Sequence, residues 1–334
     1  MSSDPGALHL PWHRAQWARM ARLRALGRVP HALLLSGPLG LGKSVFARRL
    51  SNALVCTVPS DDGDACGECV ACRQSGAGSH PDQSWVTPDE PGKMIKIDAI
   101  RELTAKSVLA AQEGGYRVVV IDPADAMNRA SANALLKTLE EPASRTVLIL
   151  VSSHPDRLPA TIRSRCHVVS FAVPNPAEID AWLRQAFPDA RAQDWLALAG
   201  GAPLRALQAR DEDWLDGDRQ LITDLNQLKK RKINPIQVVE NWSSRPLPVL
   251  LEGLKRCLND LVKICQLPAC ERVYHAADLA DLHSLAEGID FRDLHKLNDE
   301  VTRFGRDLRN NLNAQMMLEF LVNRWLQLTR PGGH

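Results

Sequence analysis

An α/β domain built on a parallel sheet, followed by two all-helical domains, is the architecture that this 334-residue sequence predicts. Three observations predict it. Between about residues 31 and 172, short apolar runs alternate with helical segments. A complete glycine-rich loop joins the first run to the first helix. Beyond Pro174, apolar residues recur at helical spacing. Continuous apolar strands separated by helices imply a parallel sheet covered on both faces.

The strands are expected at His31-Ala32-Leu33-Leu34-Leu35-Ser36, at Arg117 to Asp122, at Thr146 to Val151 and, shorter, at Val168 to Phe171. A boundary follows near Pro174, where Asn175-Pro176-Ala177-Glu178 reads as a helix start with Asn175 as N-cap and proline at the first helical position. A small helical segment, broken at Gly200-Gly201, is expected to about residue 215. The rest is helical again, with Leu251, Leu254, Leu258 and Leu261 on one face, and Leu294, Leu297, Val301, Phe304, Leu308 and Leu312 on another. The expected domains are 1–172, 173–215 and 216–334.

Charged residues make up 24% of the chain and the formal net charge is +2, so bulk electrostatics do not make it a nucleic-acid binder. Any contact with DNA requires a local patch or a larger assembly. The longest apolar runs, such as Val147-Val151, are too short to span a bilayer, so no membrane partner is expected and the chain reads as cytoplasmic. The run Lys229-Lys230-Arg231-Lys232 reads as a solvated helix end, with a partner or DNA contact as the alternative.

Gly37-Pro38-Leu39-Gly40-Leu41-Gly42-Lys43-Ser44 satisfies G-x-x-x-x-G-K-[ST] between a strand and a helix. Gly37, Gly40 and Gly42 let backbone N–H groups turn onto phosphate oxygens, and the helix N-terminus adds partial positive charge. Lys43 would reach the β and γ phosphates and Ser44 would bind Mg²⁺; the alternative is a glycine-rich turn that binds nothing. The second strand ends in Asp122, the expected magnesium-shell carboxylate, but the residue after it is Pro123 where a water-polarising glutamate is needed. Without a positioned base, roughly 10²–10⁴-fold of rate is forgone. ATP and Mg²⁺ binding with at most weak hydrolysis is the expectation.

Of eight cysteines, Cys56, Cys66, Cys69 and Cys72 fall in the spacing C-x9-C-x2-C-x2-C. Two overlapping C-x2-C turns and a fourth thiol from the preceding helix end argue for structural Zn²⁺ with no open coordination position. Buried free cysteines, a redox pair or an iron–sulfur cluster are the alternatives. His80 reads as a packing residue, and Cys257, Cys265 and Cys270 as buried apolar side chains.

These motifs, in this order, resemble the AAA+ clamp-loader ATPases of bacteria, the gamma/tau and delta-prime subunits. The phosphate loop with a four-cysteine knuckle after its helix is one element of the likeness. Asn133-Ala134-Leu135-Leu136-Lys137-Thr138-Leu139-Glu140-Glu141-Pro142, Ser164-Arg165-Cys166, and the stretch from Leu308 to Leu321 containing Asn310-Asn311-Leu312-Asn313 are the others. The resemblance implies an AAA+ domain, a helical lid and an α-helical collar. It implies that Arg165 reaches the γ-phosphate of ATP held by a neighbouring subunit. The resemblance places Ser153, with Ser152, at the sensor-1 position, with loop-capping hydroxyls as the alternative. Gly200 to Arg205 is similar to the sensor-2 region, with Arg205 a phosphate contact, although Pro203 disturbs the register. Pro11-Trp12 resembles the segment that packs by the adenine.

Two departures separate the branches. Gamma/tau motors keep an Asp-Glu pair where this chain has Asp122-Pro123, and tau subunits run well beyond this length. The delta-prime branch tolerates a decayed site because it acts as a stator. The resemblance therefore implies loading of the sliding clamp onto primed DNA, with gamma/tau and delta subunits as partners and the clamp contacted indirectly. An active gamma-like motor, or a zinc-stabilised adaptor with a vestigial nucleotide site, are the alternatives.

Overall fold

The computed structural model describes residues 9–90, 92–107, 115–188, 191–270, 273–307 and 313–330. It divides into two compact units, Met1–Trp182 and Leu183–His334. The expected lid and collar segments fall largely in the second.

In the first unit, α1 (Arg14–Ala25) precedes β1 (Ala32–Ser36), and α2 (Lys43–Val55) and α3 (Val70–Gly76) precede β2 (Gln83–Val86). Then come α4 (Ile97–Ser107), β3 (Arg117–Ile121), α5 (Arg129–Glu140), β4 (Thr146–Ser152), α6 (Ala160–Arg163), β5 (His167–Ser170) and α7 (Pro176–Ala186), whose last turn belongs to the second unit. The five strands form one sheet in the order β2-β3-β4-β1-β5, and every pairing is parallel. Every residue of β3 and β4 is buried, as two-face coverage requires. Ile100, Leu103, Leu135 and Leu139 pack one face against Val119, Ile121, Leu148 and Leu150.

β2 departs from the expected strands. Its sequence Gln-Ser-Trp-Val lacks an apolar run because the strand lies at the sheet edge and only Val86 is buried. The register places Ser36 beside Ser152 and Ile121 beside Leu150, so β1, β3 and β4 end together. Ligands of open parallel sheets bind at such carboxyl ends. Asn175 caps α7 as expected, its side chain accepting from the Ala177 N–H at 3.1 Å.

The second unit contains α8 (Ala192–Leu198), α9 (Pro203–Asp211), α10 (Trp214–Lys229), α11 (Pro235–Ser243), α12 (Leu247–Gln266), α13 (Leu279–Ala286), α14 (Phe291–Asp307) and α15 (Ala314–Leu328). Gly200 and Gly201 both take left-handed φ between α8 and α9, and Pro203 opens α9 at its first turn. Leu251, Leu254, Leu258 and Leu261 of α12 pack with Leu294, Leu297 and Val301 of α14 in one apolar core. Leu308 to Leu312 lie outside the described residues, and α15 begins at Ala314 under an Asn313 cap.

The basic run is not a solvated helix end throughout. Lys229 Nζ donates to the carbonyls of Ser284, Leu285 and Glu287 at 2.8, 3.0 and 2.6 Å and so satisfies the C-terminus of α13. Lys230, Arg231 and Lys232 are exposed, and Arg231 donates to the Leu326 carbonyl at 3.1 Å. Cys257 is buried, and Cys265 and Cys270 are partly so.

One polar network lies buried in this unit. His275 places Nδ1 2.8 Å from Asp260 and Nε2 3.1 Å from Asp218, and Arg256 Nε donates to Asp218 at 2.8 Å. Burial opposes charge on His275, but the two carboxylates outweigh it and raise its pKa above the ordinary 6.5. The imidazolium therefore contributes stability that is fully present below the unfolded pKa and is lost as pH rises through the folded one. The unfolding free energy should accordingly fall as pH rises above about 6.5, by at most about 1.4 kcal/mol per pH unit, and the melting temperature with it. His275→Asn should flatten that limb in thermal melts across pH 6 to 9; a wild-type curve already flat there would show His275 neutral in the native state.

Candidate nucleotide and metal sites

The loop after β1 turns through Gly40 and Gly42, with φ of 82° and 80°. A side chain at Gly42 would be strained by that φ and would collide with Leu10 and His13. The segment before α1 therefore lies directly on the loop. Trp12 Nε1 and His13 Nε2 both bond the Leu41 carbonyl, at 2.9 and 2.7 Å. Burial pushes the His13 imidazole down to about 4, so at neutral pH it is uncharged and its Nε2–H is the donor. Phe46 and Phe171 pack edge-on around it, and Trp12 packs edge-on against Trp182.

Lys43 is 4% exposed and donates to the Pro38 carbonyl at 2.6 Å and to Ser153 Oγ at 3.0 Å. Burial pulls its pKa down to about 8, against the pull of Asp122 and Asp125, so it is charged at neutral pH. Burial raises the Asp122 carboxyl, while a hydrogen bond with Ser44 and the charge of Lys43 act against that rise. Lys43, Ser44, Asp122 and Ser153 thus meet beside Gly37, Gly40 and Gly42 at the ends of β1, β3 and β4.

Pro123 offers no carboxylate, and the nearby Asp125 is committed elsewhere. Its Oδ1 accepts from Ser152 Oγ at 2.7 Å and from the Ser153 N–H at 3.0 Å, and its Oδ2 lies 3.5 Å from His154 Nδ1. Burial alone would raise its pKa, but His154, Ser152 and Ser153 together hold it at about 2. A carboxylate that acidic, tied to β4, is poorly matched to accept a proton at neutral pH.

Arg165 follows α6. Its Nη2 lies 2.7 Å from Glu140 Oε1 at the end of α5, and its Nη1 donates to the Thr161 carbonyl at 3.0 Å. Cys166 is partly buried against the core, and burial raises its thiol to about 11. Arg205 belongs to the second unit, where it donates to Glu252 at 3.1 Å and stacks over Trp214.

Cys56, Cys66, Cys69 and Cys72 converge, with all four Sγ atoms within 4.8 Å of one another. Sγ separations of 3.6 Å (56 to 66), 4.0 Å (56 to 69) and 3.8 Å (66 to 72) match the edges of about 3.8 Å of a tetrahedron with metal–sulfur bonds of about 2.3 Å. The backbone N–H groups of Cys66, Cys69 and Cys72 donate to sulfurs at 3.3, 3.3 and 3.4 Å, which stabilises thiolates. These four residues could hold a metal ion. His80 is buried and accepts from the Asp82 N–H through Nδ1, outside the cluster.

A parallel sheet in this order, a complete phosphate loop after β1, an aspartate closing β3 and a hydroxyl pair closing β4 define an AAA+ nucleotide-binding fold, here continued by helices. Residues 12–175 match the family model described as "DNA polymerase III, delta subunit", and residues 212–327 match "DNA polymerase III, delta subunit, C terminal". The DNA polymerase III subunit delta' of Pseudomonas aeruginosa is 36% identical over 330 residues, covering 96% of this chain and 98% of that protein. The subunit of the same name from Yersinia pestis is 38% identical, covering 82% of this chain and 74% of its own length. The chain belongs to the DNA polymerase III delta-prime family. A solved DNA polymerase III gamma subunit-related protein from Thermotoga maritima aligns over 94% of this chain and all of its own, at 19% identity and TM-score 0.47.

Sequence reasoning did not find Asp125 as the anchor of the β4 end, nor His13 and Trp12 as clamps on Leu41. Neither carries a spacing signal, because both contacts join segments brought together only by the sheet. No helix among the described residues is long and apolar enough to cross a membrane.

Proposed function

We propose that this chain is the stator-type subunit of a bacterial clamp loader. It supports ATP-dependent loading of the sliding clamp onto primed DNA in the cytoplasm, beside gamma/tau and delta subunits. Its family membership over nearly the whole length supports the reading. One observation carries it: the residue after Asp122 is Pro123, and the nearby Asp125 carboxylate is tied to the Ser152 hydroxyl and the Ser153 N–H at 2.7 and 3.0 Å. A site so built is suited to hold nucleotide and unsuited to cleave it.

In this reading Lys43, Ser44 and Asp122 hold ATP and its magnesium ion, Ser153 orients Lys43, and Arg205 is a phosphate contact from the lid. Arg165 is supplied in trans to a neighbour's ATP. The four cysteines hold Zn²⁺, whose tetrahedral preference and affinity for thiolate suit a closed structural site. The organisation is an AAA+ domain to about residue 172, a lid to about 215 and a collar beyond. The intact Lys43–Ser44–Asp122 set favours a gamma-like motor as the second reading.

Co-expression with gamma/tau and delta tests the assignment. The expected result is one stable complex on size exclusion, together with an isolated chain whose ATP turnover is no greater than that of Lys43→Ala. A chain that stays alone and hydrolyses ATP in a Lys43-dependent way would be a motor.

A further inference from the structure

From Pro5 to Ser60 the sequence contains no Asp or Glu, yet it carries Arg14, Arg19, Arg22, Arg24, Arg28, Lys43, Arg48 and Arg49. Arg49 is neutralised by Asp64, and Lys43 lies in the field of Asp122 and Asp125. The five arginines from 14 to 28 differ: among the described residues none of them pairs with a carboxylate. Arg19 bonds the His167 ring at 2.7 Å and Arg24 the Cys56 carbonyl at 3.0 Å. Arg14, Arg19, Arg22 and Arg28 are exposed. At 3.6 residues per turn, Arg14, Arg22 and Arg19 fall within an arc of about 140° on α1, opposite the buried Trp17 and Met20.

Beside this helix opens a cavity of about 620 Å³. Arg22, Arg24 and Arg145 stand around it, with half-buried Tyr116 and buried Leu54 in its wall and Asp61 as its carboxylate. It lies at the entry of β3 and β4, at the opposite end of the strands from the phosphate loop.

We propose that α1 and this cavity form a docking surface for single-stranded nucleic acid. The backbone would run along the arginines of α1 and an unstacked base would enter the cavity against Tyr116. The guanidinium fork matches phosphate oxygens bidentately. A helix of 12 residues is about 18 Å long, and with Arg28 just beyond its end it offers four exposed guanidinium groups to a strand laid along it. An aromatic face beside a basic track is how sequence-tolerant strand binding is built. A duplex keeps its bases stacked and has none to place in the cavity, which decides for the single strand. The overall charge of +2 conceals the patch because acidic residues elsewhere balance it. This surface is read from charge and shape and does not depend on the stator assignment.

The test is fluorescence anisotropy of the full-length chain with a labelled oligothymidylate at 50 to 200 mM salt. Binding is expected, with log K falling against log salt at a slope of about −3 for four or five contacts at about −0.7 each. Arg22→Glu with Arg28→Glu should weaken binding at least tenfold and lower the slope by about 1.4, with melting temperature unchanged. Tyr116→Leu should weaken it about fivefold or more. Lys230→Glu with Lys232→Glu, exposed in the second unit, should have no effect. Absence of binding at 50 mM salt, or equal affinity of the Arg22/Arg28 variant, would overturn the proposal. So would preference for an acidic peptide of matched charge, which would mark the face as a protein contact. Complex formation with gamma/tau and delta, read separately, shows whether the stator assignment has failed instead.

Discussion

Replacing Arg165 with alanine is expected to slow ATP hydrolysis at the neighbouring site of a reconstituted loader by about 10³-fold, the lower end of what a guanidinium supplied in trans contributes. The chain itself should stay folded. Arg165 is held by an exposed pair with Glu140 and by one carbonyl, and exposed pairs contribute about 0–1 kcal/mol. Arg165→Lys keeps the charge but loses the planar fork, so it should recover little. Glu140→Ala separates the two roles. If Glu140 only parks the arginine, its removal leaves single-turnover hydrolysis undiminished, whereas a structural pair would make both variants fail together. Full hydrolysis by the Arg165→Ala complex would remove this residue from the mechanism.

What could be read from the sequence follows from how local each signal is. β3 and β4 are buried on both faces, so their apolar runs are continuous and visible; β2, at the edge, has only Val86 to bury and carries no such run. The phosphate loop, Asp122 and the cysteine cluster are each specified within a few residues, and the structure brings each set together. The role of Asp125 carries no local signal. Its partners, Ser152 and Ser153, lie 27 and 28 residues away at the end of β4 and meet it only through strand pairing. Lys229 illustrates the same point in the second unit. As part of a four-residue basic run it resembles a solvated end, yet its three carbonyl partners lie more than fifty residues on. A charged side chain's role depends on what the fold places opposite it, and short motifs do not encode that.

Stripping metal from the full-length chain is expected to destabilise the first unit by about 5 kcal/mol or more and to leave the second unchanged. Structural zinc contributes binding free energy of about 10–16 kcal/mol in isolated fingers, and a larger scaffold retains part of the fold without it. The segment between Cys56 and Cys66 has little apolar surface of its own, and what it does contact depends on the knuckle being closed. Trp17 Nε1 donates to the Asp62 carbonyl at 3.0 Å, Arg49 grips Asp64 through two bonds of 2.6 and 2.7 Å, and Gly63 lies against Ala21. Arg49 also stacks 3.7 Å over the Trp17 ring, so opening the knuckle would leave a largely buried guanidinium without its carboxylate. The damage should therefore spread into α1 and α2. Hydrogen exchange after chelation should rise in residues 43–76 and in α1 while α12 and α14 keep their protection, and Cys69→Ser should reproduce the pattern without a chelator. The melting temperature of the first unit should fall by about 10 °C or more, at about 2–4 °C per kcal/mol. If protection around Cys56 to Cys72 survives both treatments, the contacts to α1 and α2 hold the knuckle by themselves and the four thiols are not a structural metal site.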